Sequence, residues 1–175
     1  RRQLLNGNSF ILGVSGSGKS FAAKNEIVNL VLSSDADIII IDPEREYAPL
    51  VKAMNGEVIE ISATSPNHIN AMDMGRDYGE VDPVIEKSQF IQSLCEQIIA
   101  GHHFAKGQQS IIDRCTENIY RPYQNAGYEG MPPTLSDFRD ELLRQPEPEA
   151  ISLALELELF TRGTLNTFAK QTNVN

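Results

Sequence analysis

The sequence predicts an α/β fold: a β-α-β beginning, a helical second part, and a sheet short of strands. Three observations carry this. The stretch "GVSGSGKS", residues 13 to 20, lies between a short apolar run and an amphipathic one. Four consecutive isoleucines, residues 38 to 41, run into an acid, Asp42. Beyond residue 80, apolar residues recur at helical spacing.

The elements follow in order. "SFIL", residues 9 to 12, reads as a short strand. "SFAAKNEIVNLVL", residues 20 to 32, reads as a helix with Ile27, Val28, Val31 and Leu32 on one face. "ADIIIID", residues 36 to 42, is β-branched and does not alternate, as expected of a strand covered on both faces in a parallel sheet. Together these predict a right-handed β-α-β unit. "EVIEI", residues 57 to 61, reads as a third strand, and the polar stretch after it as a long loop.

The second part opens at Asp82, an N-cap with Pro83 at the first helical position. Ile91, Leu94, Cys95, Ile98 and Ile99 form its stripe, closed by Gly101. Ile111, Ile112, Cys115 and Ile119 predict a second helix, stopped near Pro122. Residues 125 to 133 read as a loop. Thr134 and Asp137 resemble a capping box opening a third helix. Residues 148 to 160 carry leucines that alternate like a strand, but Ala, Glu and Leu favour helix, which is the reading taken here, with Gly163 ending it.

Composition narrows function. The chain has 175 residues and a formal net charge of -9. Clustered phosphate contacts need Lys and Arg, so direct non-specific binding of nucleic acid is disfavoured. Cys95 and Cys115 have no metal spacing and read as buried thiols. His102 and His103 lack further ligands at a suitable spacing and read as a surface turn. Tyr120, Tyr123 and Tyr128 read as packing residues rather than base-stacking ones. No apolar run approaches the ~20 residues that span a bilayer. The start at Arg1, without methionine, is expected of a piece of a longer protein.

Residues 13 to 20 fit G-x-x-x-x-G-K-[ST] at every fixed position. Gly16 and Gly18 let backbone N–H groups turn toward a phosphate. Lys19 supplies a point charge to the β- and γ-phosphates, and Ser20 a hydroxyl to Mg2+. The helix that follows directs its positive end at the same phosphates. The candidate ATP-binding set is Gly13, Ser15, Gly16, Ser17, Gly18, Lys19, Ser20 and Phe21, with Lys19 catalytic and Ser20 the metal ligand.

The acids after the isoleucines admit two readings. Asp42 and Glu44 have the outline of a Walker B strand. Yet "DPEREY", residues 42 to 47, sets Asp-Pro two residues before Glu-Tyr, and this resembles the HerA–FtsK superfamily of hexameric motors. Within it the chain resembles the conjugative-transfer and type IV secretion ATPases, TraC-like and TrbE-like. "NGNSFILGVSGSGKSF", "IIIIDPEREYAPL", "EISATSPNHINAMDM", "PTLSDF" and "ALELELFTRGTLNTFAKQTNV" carry the match along essentially the whole chain.

The resemblance implies a RecA-like P-loop NTPase, with a nucleotide-binding part over 1–75, an all-α insertion over 80–165 and a return segment over 166–175. It makes Asp42 and Glu46 acids near the nucleotide rather than the Walker B pair. That pair, the glutamine sensor and the arginine finger lie further along in the family, so this piece is expected to hydrolyse ATP slowly. Asp42 stays open between ending a strand and standing near magnesium water, and Glu44 and Arg45 read as a solvated turn. The unpaired edges of the loop strand are expected to be covered by another copy, or the sheet rearranged.

The resemblance further implies ATP and Mg2+ as cofactors, a homo-hexamer, and type IV secretion partners at the inner face of the bacterial membrane. It leaves nucleic acid an indirect partner. The rivals are a DNA-pumping motor or coupling protein, a small-molecule kinase using Asp42 and Glu44, and a nucleotide-dependent scaffold.

Overall fold

The computed structural model describes residues 8–79, 82–99 and 103–174. The chain divides into two compact units, Arg1–Val58 and Ile59–Asn175.

The α/β expectation is overturned. No described residue belongs to a β-strand, and every regular element is helical. The β-α-β, RecA-like start therefore does not form among the described residues. Segments 9–12, 36–42 and 57–61 have the composition of strands but no ladder. A strand exists only when a neighbour in register takes its N–H and C=O groups. Side-chain burial follows from this. Ile38 and Ile40 are half-buried, whereas Ile39 and Ile41 are 90% and 91% exposed and Phe10 is 90% exposed. The isoleucine run is thus covered on one side, not on two.

In the first unit, α1 spans Lys19–Ser33 and α2 spans Ala48–Ala53. Ile27 and Val31 of α1, Ile38 and Ile40, Leu50 of α2 and Met54 just after it line a shared cleft of about 510 Å³.

The second unit is built on α3 (Pro83–Ile98), α4 (Lys106–Asn125), α5 (Leu135–Leu142), α6 (Pro148–Glu156), α7 (Glu158–Thr161) and a 3-10 turn, Asn166–Ala169. The Asp82 cap forms: its carboxylate accepts from Val84 N at 2.9 Å and Ile85 N at 3.3 Å. The Thr134–Asp137 capping box also forms, with Thr134 N donating to Asp137 Oδ2 at 2.7 Å and Asp137 N to Thr134 Oγ1 at 3.3 Å. Ile91 and Cys95 of α3, Ile112, Cys115 and Tyr120 of α4, and Leu135, Phe138 and Leu142 of α5 are fully buried together.

Two helix expectations need correction. α4 does not stop near Pro122 but runs on to Asn125. Proline removes only the N–H that would reach Asn118, and its own carbonyl still accepts from Ala126 N at 3.1 Å. Residues 148 to 160 form two helices rather than one, parted at Leu157. Gly101 and His102 lie outside the described residues. His103 is exposed, 3.4 Å from Glu96, and no group of possible metal ligands occurs among the described residues. Tyr120 donates its hydroxyl to Met72 O, and Tyr123 and Tyr128 meet edge to face at 5.6 Å.

The stretch read as a loop is tightly held. Asn70, 2% exposed, donates to Pro133 O at 3.0 Å, Asp73 Oδ1 at 3.2 Å and Gln171 Oε1 at 3.3 Å. Its own Oδ1 accepts from Met72 N at 3.0 Å. Around it, Asn70 N donates to Thr172 Oγ1 at 2.8 Å, and His68 N to Asn173 Oδ1 at 2.7 Å. Asn173 N returns a bond to His68 O at 3.2 Å. Segments a hundred residues apart are thus laced together. Asn70→Ala strands several of these partners, and a loss of about 2–3 kcal/mol is expected. Urea unfolding measures it, and faster amide exchange at Asn173 locates it.

Lys87 is 3% exposed, with its ammonium 4.3 Å from the Tyr78 ring, 4.7 Å from the Phe90 ring and 3.4 Å from Ala71 O. Burial pulls its pKa down to about 8, against the opposing pull of Asp73. Below pH 8 the folded chain carries a buried ammonium. Between pH 8 and 10.5 the folded lysine sheds its proton while the unfolded one keeps it, so stability rises. Burial pushes the Cys95 and Cys115 thiols up to about 12, which acts in the opposite sense above pH 9. The Lys87 contribution is therefore isolated as a difference. Wild type should gain about 1–2 kcal/mol on Lys87→Met between pH 7.5 and 9.5, measured by urea melts at both pH values.

Candidate functional site

The glycine loop turns at Val14–Ser17, where Ser17 N donates to Val14 O at 3.2 Å. Gly16 and Gly18 have φ of 77° and 88°, the left-handed region that favours glycine. A Cβ at either would meet nothing within 4 Å, so the backbone there faces open space. Gly18 is the N-cap of α1 and supplies no side-chain cap, and the first turn of α1 holds no acid. The first N–H groups of a long helix are therefore left without a side-chain acceptor.

Lys19 opens that helix, and its ammonium donates to Val14 O at 2.7 Å. The lysine thus spans the mouth of the loop. Ser20 is exposed in the same turn, and Gly13, Ser15, Ser17 and Phe21 are exposed around it. This donor set suits a phosphate group: helix-end N–H groups without a side-chain cap, one ammonium, one hydroxyl and no acid in the first helical turn.

The acids lie on the next turn. Asp42 Oδ2 accepts from Tyr47 N at 2.8 Å, and Asp42 O from Arg45 N at 3.4 Å. Tyr47 is the N-cap of α2, so the Asp42 carboxylate sits at the start of that helix. Arg45 has φ of 58°, which allows the tight reversal. Glu44 and Glu46 are exposed. The Lys24 ammonium stands 5.2 Å from the Tyr47 ring, within cation–π reach. This joins the acid turn to α1 one turn beyond Ser20.

Sequence reasoning assigned neither Lys24 nor α2. The signal was present: Lys24 is four residues from Ser20, hence on the same helical face, and Tyr47 closes the Asp-Pro…Glu-Tyr motif.

A family model for the TraG P-loop domain matches residues 1–123. The chain belongs to the TraG P-loop domain family. The match takes in the glycine loop, the acid turn, α3 and all but the end of α4. Membership supports a conjugation-related, nucleotide-binding P-loop protein of the ATPase kind, a class that works with Mg2+. No curated protein and no solved structure matches the chain. Among the described residues, no helix is long and apolar enough to cross a membrane.

The geometry makes Asp42 the organiser of the acid turn. Asp42→Ala should free the Tyr47 amide, with exchange rising about fivefold for a lost cap of about 1 kcal/mol. Hydrogen exchange at Tyr47 measures this, and an unchanged rate refutes it.

Proposed function

We propose that this chain is the nucleotide-binding part of a conjugative-transfer ATPase of the TraC-like or TrbE-like kind. The observation that carries the reading is the uncapped start of α1 behind Gly16 and Gly18, with Lys19 across its mouth. A triphosphate brings its own acceptors to those N–H groups, and Lys19 exchanges the Val14 carbonyl for phosphate oxygens. Ser20 presents the hydroxyl that would hold Mg2+, an ion that would supply positive charge to the phosphates. Gly13, Ser15, Ser17 and Phe21 border the phosphates. Lys19 is the residue that stabilises charge on the transferring phosphoryl group.

Asp42 and Glu46 stand on the neighbouring turn, held toward α1 through Tyr47 and Lys24. In this reading they tune the magnesium environment and do not activate water. Hydrolysis takes place between subunits of a homo-hexamer and drives pilus assembly or substrate transfer with other secretion components. The protein works in the cytoplasm against the inner face of the membrane. Its helices over 80–165 form an insertion, and 166–175 are a return segment. The net charge of -9 supports an indirect relation to nucleic acid.

The test is a titration of a fluorescent ATP analogue with and without Mg2+. Wild type should bind, and Lys19→Ala should weaken binding by at least about thirtyfold, or about 2 kcal/mol, with unchanged helical content. Turnover by the chain itself should stay far below the ~10 s⁻¹ typical of enzymes. Motor-like turnover abolished by Asp42→Asn would instead make Asp42 a catalytic acid.

A further inference from the structure

The alternating leucines of α6 and α7 leave a second apolar face. A helix cannot keep a two-residue repeat on one side. Leu153 and Leu157, with Ala150 and Ala154, enter the core. Ile151, Leu155 and Leu159, spaced by four, form an outer stripe that is 44%, 59% and 47% exposed. The core already has its face, so packing within the unit does not account for the outer stripe.

The stripe adjoins a groove. Leu165 N donates to Leu159 O at 3.2 Å. Leu165 in turn lines an almost wholly apolar cavity of about 410 Å³ with Ile61, Leu94, Ile98, Leu135 and Phe168. The exposed stripe is the surface that another helix would cover, and the groove lies beyond Leu165.

We infer that this face docks an amphipathic helix of a partner protein, apolar at i, i+4 and i+7 and lined by Lys or Arg. Charge selects this occupant. Glu149, Glu156 and Glu158 are exposed along α6 and α7. Glu158 is met by Arg139 at 3.2 Å, and Glu156 is held by the uncharged Ser152 hydroxyl at 3.2 Å. Arg162, the basic residue at the end of α7, is taken by both oxygens of Asp140 at 2.9 and 3.2 Å. A second copy packed on this same face would set the same acids against one another. An anionic lipid surface meets the same repulsion. A basic helix satisfies both the stripe and its margins.

The test uses the 175-residue chain and two fluorescein-labelled peptides of about 18 residues, five helical turns. Both carry leucine along one face, and they differ only in Lys or Glu at the margins. The Lys peptide should bind, more weakly as salt rises, and the Glu peptide should not. Leu155→Asp, which leaves the core untouched, should weaken the Lys peptide by at least about tenfold with unchanged melting. Glu156→Lys should weaken it several-fold. Absence of Lys-peptide binding overturns the inference. So does equal binding to Leu155→Asp, which would be charge adhesion alone, or equal binding of both peptides. Leu155-dependent dimerisation in sedimentation would assign the face to a second copy, and Leu155-dependent binding to phosphatidylglycerol vesicles would assign it to lipid. Either result would overturn the inference. Nucleotide affinity enters none of these readouts, so the inference stands or falls apart from the proposed function.

Discussion

The second unit depends on one buried amide. Asn70 uses its side-chain N–H groups on Pro133, Asp73 and Gln171 and its carbonyl on Met72. Residues 66–73 and 171–173 carry irregular backbone, which cannot satisfy itself as a helix does. Without Asn70 they would place open donors and acceptors beside the core. Met72 and Met74 could then not pack under α3 and α4, and Tyr120 would lose the carbonyl it donates to. The cross-links Thr167 to Ser62 and Asn173 to Pro66 extend the same lacing, at 3.2 and 2.8 Å. A hydrogen-bonded junction thus does here what a sheet would otherwise do, joining the two ends of the unit.

The first unit rests on an opposite condition. Its candidate site rests on the opening N–H groups of α1, which take no side-chain cap from Gly18, behind two glycines with positive φ. Lys19 is held at this mouth by its bond to a single backbone carbonyl, that of Val14. The acid turn is fastened by Asp42 to Tyr47 and by the Tyr47 ring to Lys24, leaving Glu46 exposed.

Much of this was legible beforehand. The glycine loop, the caps at Asp82 and Thr134, and the α3 and α4 stripes rest on interactions within a few residues, which a sequence displays directly. The strands were misread because four isoleucines state a preference for extended backbone, not the existence of a partner. The α4 terminus was misread because Pro122 forfeits one bond near a helix end, and the next turn still forms. The Asn70 junction was invisible: asparagine, threonine and glutamine in polar stretches look like loop until the chain brings them together.

By itself, then, the sequence determined the glycine loop, the helix that follows it and the amphipathic faces of the helical half, because each is local and periodic. The tertiary structure alone decided which apolar runs find partners. Ile38 and Ile40 are sheltered while Ile39 and Ile41 are not, and Leu153 and Leu157 are buried while Leu155 and Leu159 face out. The same structure bonded residue 70 to residue 172. Burial and long-range hydrogen bonds depend on where distant segments meet, and no local window of sequence contains that information.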